Sequence, residues 1–114
     1  MAAKSCGLEF TFSRPSVLAP VIFGDAKAEC DIPPESHTME LTLDRVVNGS
    51  WIPQALTVDS AIPVPTRTYH VSAECVAGDW RIRARVYGSL TNRPFDFTDH
   101  TATRTVSTRE CPGG

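Results

Sequence analysis

The sequence predicts an all-β chain folded as an antiparallel two-sheet sandwich of roughly seven to nine short strands. Three observations predict it. Apolar residues recur with period two in segment after segment, and a helical period is nowhere sustained. Turn signals rich in Gly, Pro, Asn and Asp break the pattern at roughly 8–12-residue spacing. Cys6, Cys30, Cys75 and Cys111 each stand at or beside the end of an alternating stretch, the placement of cross-links rather than of ligands or nucleophiles.

The first strand runs from Cys6, with Leu8, Phe10 and Phe12 on its face and Glu9, Thr11 and Ser13 on the other. Arg14-Pro15-Ser16 ends it. Val17 to Phe23 contains Pro20 and reads as an irregular edge piece, since proline donates nothing to a ladder. After Gly24-Asp25, Ala26, Ala28 and Cys30 alternate with Lys27 and Glu29, and Ile32-Pro33-Pro34 closes the segment as a stiff link. His37, Met39, Leu41 and Leu43 alternate with Thr38, Glu40, Thr42 and Asp44 up to Val47-Asn48-Gly49-Ser50. Asn-Gly supplies the two positive-φ positions of a type I′ turn, so Trp51 to Val58 is the returning strand.

Ile62-Pro63-Val64-Pro65 is an extended crossover. A second hairpin is expected next. Tyr69, Val71, Ala73 and Cys75 alternate through one arm, and Val76-Ala77-Gly78-Asp79 leads into Trp80, Ile82, Ala84 and Val86, which alternate with Arg81, Arg83, Arg85 and Tyr87. Gly88 to Pro94 reads as a break, Phe95 and Phe97 as a short strand, and Ala102 to Thr108 as the last strand. The chain is a single domain over 1–114, with 1–5 and 112–114 as frayed tails.

Cys6 and Cys30 are expected at one end of a sheet, and tracing the strands up and down places Cys75 and Cys111 at a common end as well. The sequence alone does not choose among pairings, and Cys30–Cys75 across the two sheets with Cys6–Cys111 tying the termini is the favoured one. Cys6–Cys30 with Cys75–Cys111 is the alternative, and four cysteines allow a third. Crosslinks spanning ~45 and ~100 residues would stabilise by roughly 4 kcal/mol and somewhat more.

With 13 acidic against 11 basic side chains the net charge is −2, which argues against a nucleic-acid partner because phosphates demand a basic excess. No apolar run reaches the ~20 residues of a membrane span, so no membrane insertion is expected. Met1 to Cys6 lacks an apolar h-region and reads as no signal peptide. His37, His70 and His100 are far apart, with no Cys-x-x-Cys or His-x-x-x-His spacing, so neither metal nor cofactor is expected. No Gly-x-Ser-x-Gly elbow occurs, and Asp96 and Asp99 read as the solvent side of an aromatic strand, so the chain is expected not to be an enzyme.

The candidate recognition surface is Arg81, Arg83, Arg85 and Tyr87, projecting from one face of one strand; arginine and tyrosine are favoured at protein interfaces. The competing reading is ordinary sheet decoration, with Glu74 opposite Arg81 and His70 near Arg85. Trp80 shares parity with Ile82 and points inward, whereas Trp51 follows a turn and could face either way. Asn48-Gly49-Ser50 matches a glycosylation acceptor, yet the turn already accounts for it.

Cys30-Asp-Ile-Pro-Pro34 followed by His37, Met39, Leu41 and Leu43 resembles small β-sandwich proteins of actinobacteria and of their phages. So does Tyr69-x-Val71-x-Ala73-x-Cys75-Val-Ala-Gly78-Asp-Trp80-Arg81, and the likeness runs from Cys6 to Cys111. The resemblance implies an immunoglobulin-like, disulfide-bonded, secreted fold without catalytic residues. The expected role is therefore an extracellular protein-interaction module whose partner is another protein or copies of itself. The alternatives are a virion structural protein, which needs no signal peptide, and a small secreted inhibitor or accessory domain whose loop at Gly88 to Phe97 would fill a partner's cleft.

Overall fold

A computed structural model describes residues 6–112, so of the expected tails 1–5 and 112–114 all but residue 112 lie outside the described residues. Among the described residues nine strands form two antiparallel sheets, and no helix occurs. In the first sheet, β3 (Val21–Cys30) is central. It carries β6 (Thr66–Glu74) on one side, while β1 (Cys6–Phe10) and β2 (Ser16–Leu18) share the other. In the second sheet, β4 (Ser36–Val47) pairs with β5 (Ser50–Asp59) and with β7 (Gly78–Leu90). The far side of β7 is shared by β8 (Arg93–His100) and β9 (Arg104–Val106).

Period-two alternation builds the core. Ile22, Ala26, Ala28, Tyr69 and Val71 of the first sheet bury against Met39, Leu41, Leu43, Trp80, Ile82, Ala84 and Val86 of the second. The Trp80 indole N–H, as its inward parity requires, finds the Val76 carbonyl at 2.9 Å. The Tyr69 hydroxyl is buried without a hydrogen-bond partner among the described residues, and burial pushes its pKa up to about 12.

The β4–β5 hairpin forms as the Asn-Gly pair dictates, with Asn48 and Gly49 at φ 52° and 81° between Val47 and Ser50. Elsewhere the turn signals mislead. Gly24-Asp25 does not interrupt a strand: β3 is continuous, and Val21 to Phe23 belongs to this central strand rather than to an edge. Gly24 is there for inter-sheet fit, since a Cβ would stand 1.8 Å from Ile82 Cδ1. Gly88 likewise lies inside β7, where a Cβ would meet the Ser36 carbonyl oxygen at 2.1 Å. The expected break is instead a two-residue turn at Thr91 and Asn92, at φ 50° and 61°, so 88–97 is a tight hairpin and not a protruding loop.

The expected second hairpin is also absent. β6 pairs with β3 from Val21↔Glu74 to Glu29↔Thr66, while β7 lies in the other sheet, so residues 75–77 cross between layers. Arg45 of β4 pins that crossing, its Nη2 donating to the Ala77 carbonyl at 2.7 Å. Alternation fixes which face a residue takes, not which strand lies beside it.

The disulfides follow from this correction. Cys6 bridges Cys30, its direct cross-strand neighbour in β1–β3, and Cys75 bridges Cys111. The favoured Cys30–Cys75 and Cys6–Cys111 pairs are overturned. Because β3 and β6 are antiparallel, Cys30 and Cys75 sit at opposite ends of one sheet, about 30 Å apart at strand rise. Indeed the Cys75 N–H donates to the Pro20 carbonyl, at the other end of β3 from Cys30.

Candidate functional site

The outer face of the five-stranded sheet carries the predicted row. Trp80, Ile82, Ala84 and Val86 are buried, so Arg81, Arg83, Arg85 and Tyr87 project to the other side of β7. Across the ladder they meet Asp44, Thr42, Glu40 and Thr38 of β4, in that order. From the far side β8 brings His100, Thr98 and Asp96 opposite Arg83, Arg85 and Tyr87. The expected neighbours Glu74 and His70 are on the other sheet; His70 Nδ1 lies 2.6 Å from Asp25 and its ring 5.7 Å from that of Phe23.

Every guanidinium of the row has an acidic partner. Arg81 and Arg83 both donate through Nε to Asp44 Oδ2, at 3.3 and 3.1 Å. Asp44 is 1 % exposed and among the described residues its Oδ1 has no hydrogen-bond partner, so these two arginines are what compensates the burial of its carboxylate. Arg85 forks onto Asp96 with Nε and Nη2 at 3.1 and 2.8 Å, and the Tyr87 hydroxyl donates to Glu40 Oε2 at 3.1 Å. The hydrogen bond from Arg85 holds Asp96 below the ordinary carboxylate range, and the bond to Glu40 raises the Tyr87 phenol. Rings close the row at both ends: Arg81 lies 4.4 Å from the Trp51 centroid and Arg85 4.6 Å from that of Tyr87.

That contact settles Trp51, which faces outward and pairs with Val46. A β-bulge then places Gln54 as an extra residue, Leu43 opposing Ala55 and Asp44 opposing Pro53. Beyond the bulge, Leu56 opposes Thr42 and Val58 opposes Glu40, so both side chains join the outer face. They are 59 % and 55 % exposed. The surface is thus an ion-paired arginine row on β7 and an apolar row on the edge strand β5, with Trp51 joining them. Leu56 and Val58 were missed in the sequence because they lie on a returning strand whose partner, not its pattern, decides the face.

The remaining candidates fall elsewhere. Asp96 serves Arg85, and Asp99 Oδ1 accepts the His100 N–H at 2.8 Å. Asn48 is exposed at the hairpin tip. His70 and His100 stay on separate sheets, but His37 does not stand alone: it is 1 % exposed, and one donor atom from each of His37, Cys6 and Cys30 lies within 4.8 Å of the others. Chain spacing hid this convergence, which arises from the β1–β3 ladder and from the packing of one sheet on the other.

No known family and no curated protein matches this sequence. Among solved structures, a β-glucosidase from Kluyveromyces marxianus in complex with glucose is similar, at 10 % identity and a TM-score of 0.45. The similarity covers 89 % of this chain and 14 % of that one, so the present chain spans a small part of the enzyme's length.

Proposed function

We propose that this protein is a non-enzymatic interaction module for an extracellular or particle-surface setting. It binds a protein partner through the outer face of the five-stranded sheet. The two disulfides are consistent with an extracellular location. The observation that carries the reading is the exposure of Leu56 and Val58 beside a row of Arg, Trp and Tyr already held in place. Aromatic and arginine anchors dominate interface energetics, and an apolar row next to them supplies area that solvent gains from losing. Side chains fixed before binding also avoid ordering costs of about 0.5–1.5 kcal/mol each.

A photo-crosslinking residue placed at position 56, and separately at Glu29 on the other sheet, tests this. Position 56 should give one discrete adduct with material from the native setting. Unlabelled wild type should compete it away and L56E should not, while the melting temperature of L56E stays within error. Equal adducts from both faces, or none that competes, would remove the outer face from consideration. An adduct of twice the chain mass would identify the partner as a second copy, the behaviour of a repeating assembly.

A further inference from the structure

We propose that Cys6, Cys30 and His37 form a latent binding site for a thiophilic divalent cation, Zn²⁺ in chemical class, which opens when the Cys6–Cys30 disulfide is reduced. Two donors come from neighbouring strands, Cys6 on β1 and Cys30 directly opposite on β3. The third comes from the facing sheet, His37 near the start of β4. All three residues are buried, and their donor atoms lie within 4.8 Å of one another. A tetrahedral zinc with sulfur at about 2.3 Å and nitrogen at about 2.0–2.1 Å needs its donors roughly 3.6–3.8 Å apart, so parting the sulfurs brings the set to coordination spacing.

His37 is the observation that demands an explanation. Among the described residues neither ring nitrogen finds a partner in another residue, though the imidazole is 1 % exposed. A buried unsatisfied polar group costs about 1–3 kcal/mol, and leucine would fill this core position without that loss. The Cys75–Cys111 bridge has no such neighbour among the described residues.

The chemistry balances simply. A dithiol reductant gives two electrons and two protons to the Cys6–Cys30 bond and leaves as its own cyclic disulfide. Cation binding then releases both thiol protons to solvent, and the two thiolates neutralise the divalent charge inside the fold. Water takes the fourth position. β1 is a five-residue strand that among the described residues pairs with β3 alone, so local opening there gives reductant and ion a way in.

The test uses whole protein reduced with dithiothreitol, desalted under argon and titrated with Co²⁺ as a spectroscopic stand-in. Expected are thiolate-to-cobalt charge-transfer absorption, the intense visible bands of a tetrahedral site, displacement by Zn²⁺, and no spectrum from oxidised protein. The signal should survive in C75S/C111S, vanish in C6S/C30S, and weaken by at least about a hundredfold in affinity for H37L. Near-ultraviolet circular dichroism reports the fold throughout. An unchanged H37L spectrum and affinity would overturn the proposal, since the thiols would then bind without the imidazole. So would reduced wild type that binds no cobalt, or that unfolds and is not restored by it.

Discussion

Removing both arginines that face Asp44 should destabilise the protein by more than the sum of removing each. The Asp44 side chain is 2 % exposed, and its two guanidinium partners are 19 % and 31 % exposed. In R83S or R81S the carboxylate keeps one charged donor, and loss of a hydrogen bond to a charged group costs about 1.5–3 kcal/mol; the partial exposure of the arginines puts the value near the lower end. In R81S/R83S the buried charge stands alone, for which breaking a buried pair indicates about 3–5 kcal/mol. The coupling between the two sites should therefore reach about 1 kcal/mol, a value expected of residues sharing one partner. Adding D44L should recover most of the loss, because an apolar side chain needs no counter-charge. Urea unfolding with the disulfides intact and a constant m-value measures all four variants. Additive losses below about 1 kcal/mol, or failure of D44L to rescue, would refute the claim that the row is organised around this carboxylate. By contrast R85S, whose partner is exposed Asp96, should melt with wild type.

Burial lowers the pKa of His37, so the unfolded chain takes up its proton first as pH falls. Wild-type stability should be full above about pH 6.5 and decline below it by up to about 1.4 kcal/mol per pH unit, until the folded state also protonates. Thermal melts between about pH 7.5 and 5 should show this slope, and H37L should lack it; equal slopes would exclude His37 as the source. The lowered carboxylates Glu35, Asp59, Asp96 and Glu110 act in the same direction but lose their contribution only below their model-peptide range near pH 4.5. G24A should cost about 1–3 kcal/mol through the clash with Ile82, and less when I82A removes the opposing atoms, a difference that paired melts resolve. Bridges closing 24 and 36 residues are worth roughly 3.5 and 3.8 kcal/mol in the chain-entropy account, so urea midpoints should rank C75S/C111S slightly below C6S/C30S.

What the sequence made legible was whatever local chemistry dictates. Asn48-Gly49 forces its turn because both residues take positive φ, and the β7 alternation sorted Trp80 and Ile82 inward from Arg81 and Arg83 outward. Partner choice was not legible. Residues 69–75 and 80–87 have the pattern of two hairpin arms, yet the same alternation suits two strands in facing layers, which is the arrangement found. Choosing the wrong partner carried the cysteine pairing with it. The strand-interior Gly24 and Gly88 misled for a related reason: each makes room for a neighbour distant in sequence, Ile82 for Gly24 and Ser36 for Gly88, and no local pattern encodes that neighbour.

The same division runs through the binding surface and shapes what binding there must look like. Arg81, Arg83, Arg85 and Tyr87 were legible as one row, but not that Asp44, Asp96 and Glu40 had already engaged them. A row so neutralised cannot act as a free positive patch. Its arginines contribute as fixed, flat surfaces, and the contact that grows with area falls to Leu56, Val58 and the exposed part of Trp51. Association with the partner should then depend weakly on salt. Raising ionic strength from about 0.05 to 0.5 M shortens the screening length well below the span of the row, yet should change affinity by less than about threefold. A steep loss with salt, together with L56E binding as wild type does, would mean that the guanidiniums leave their internal partners on binding. The apolar edge strand would then be incidental.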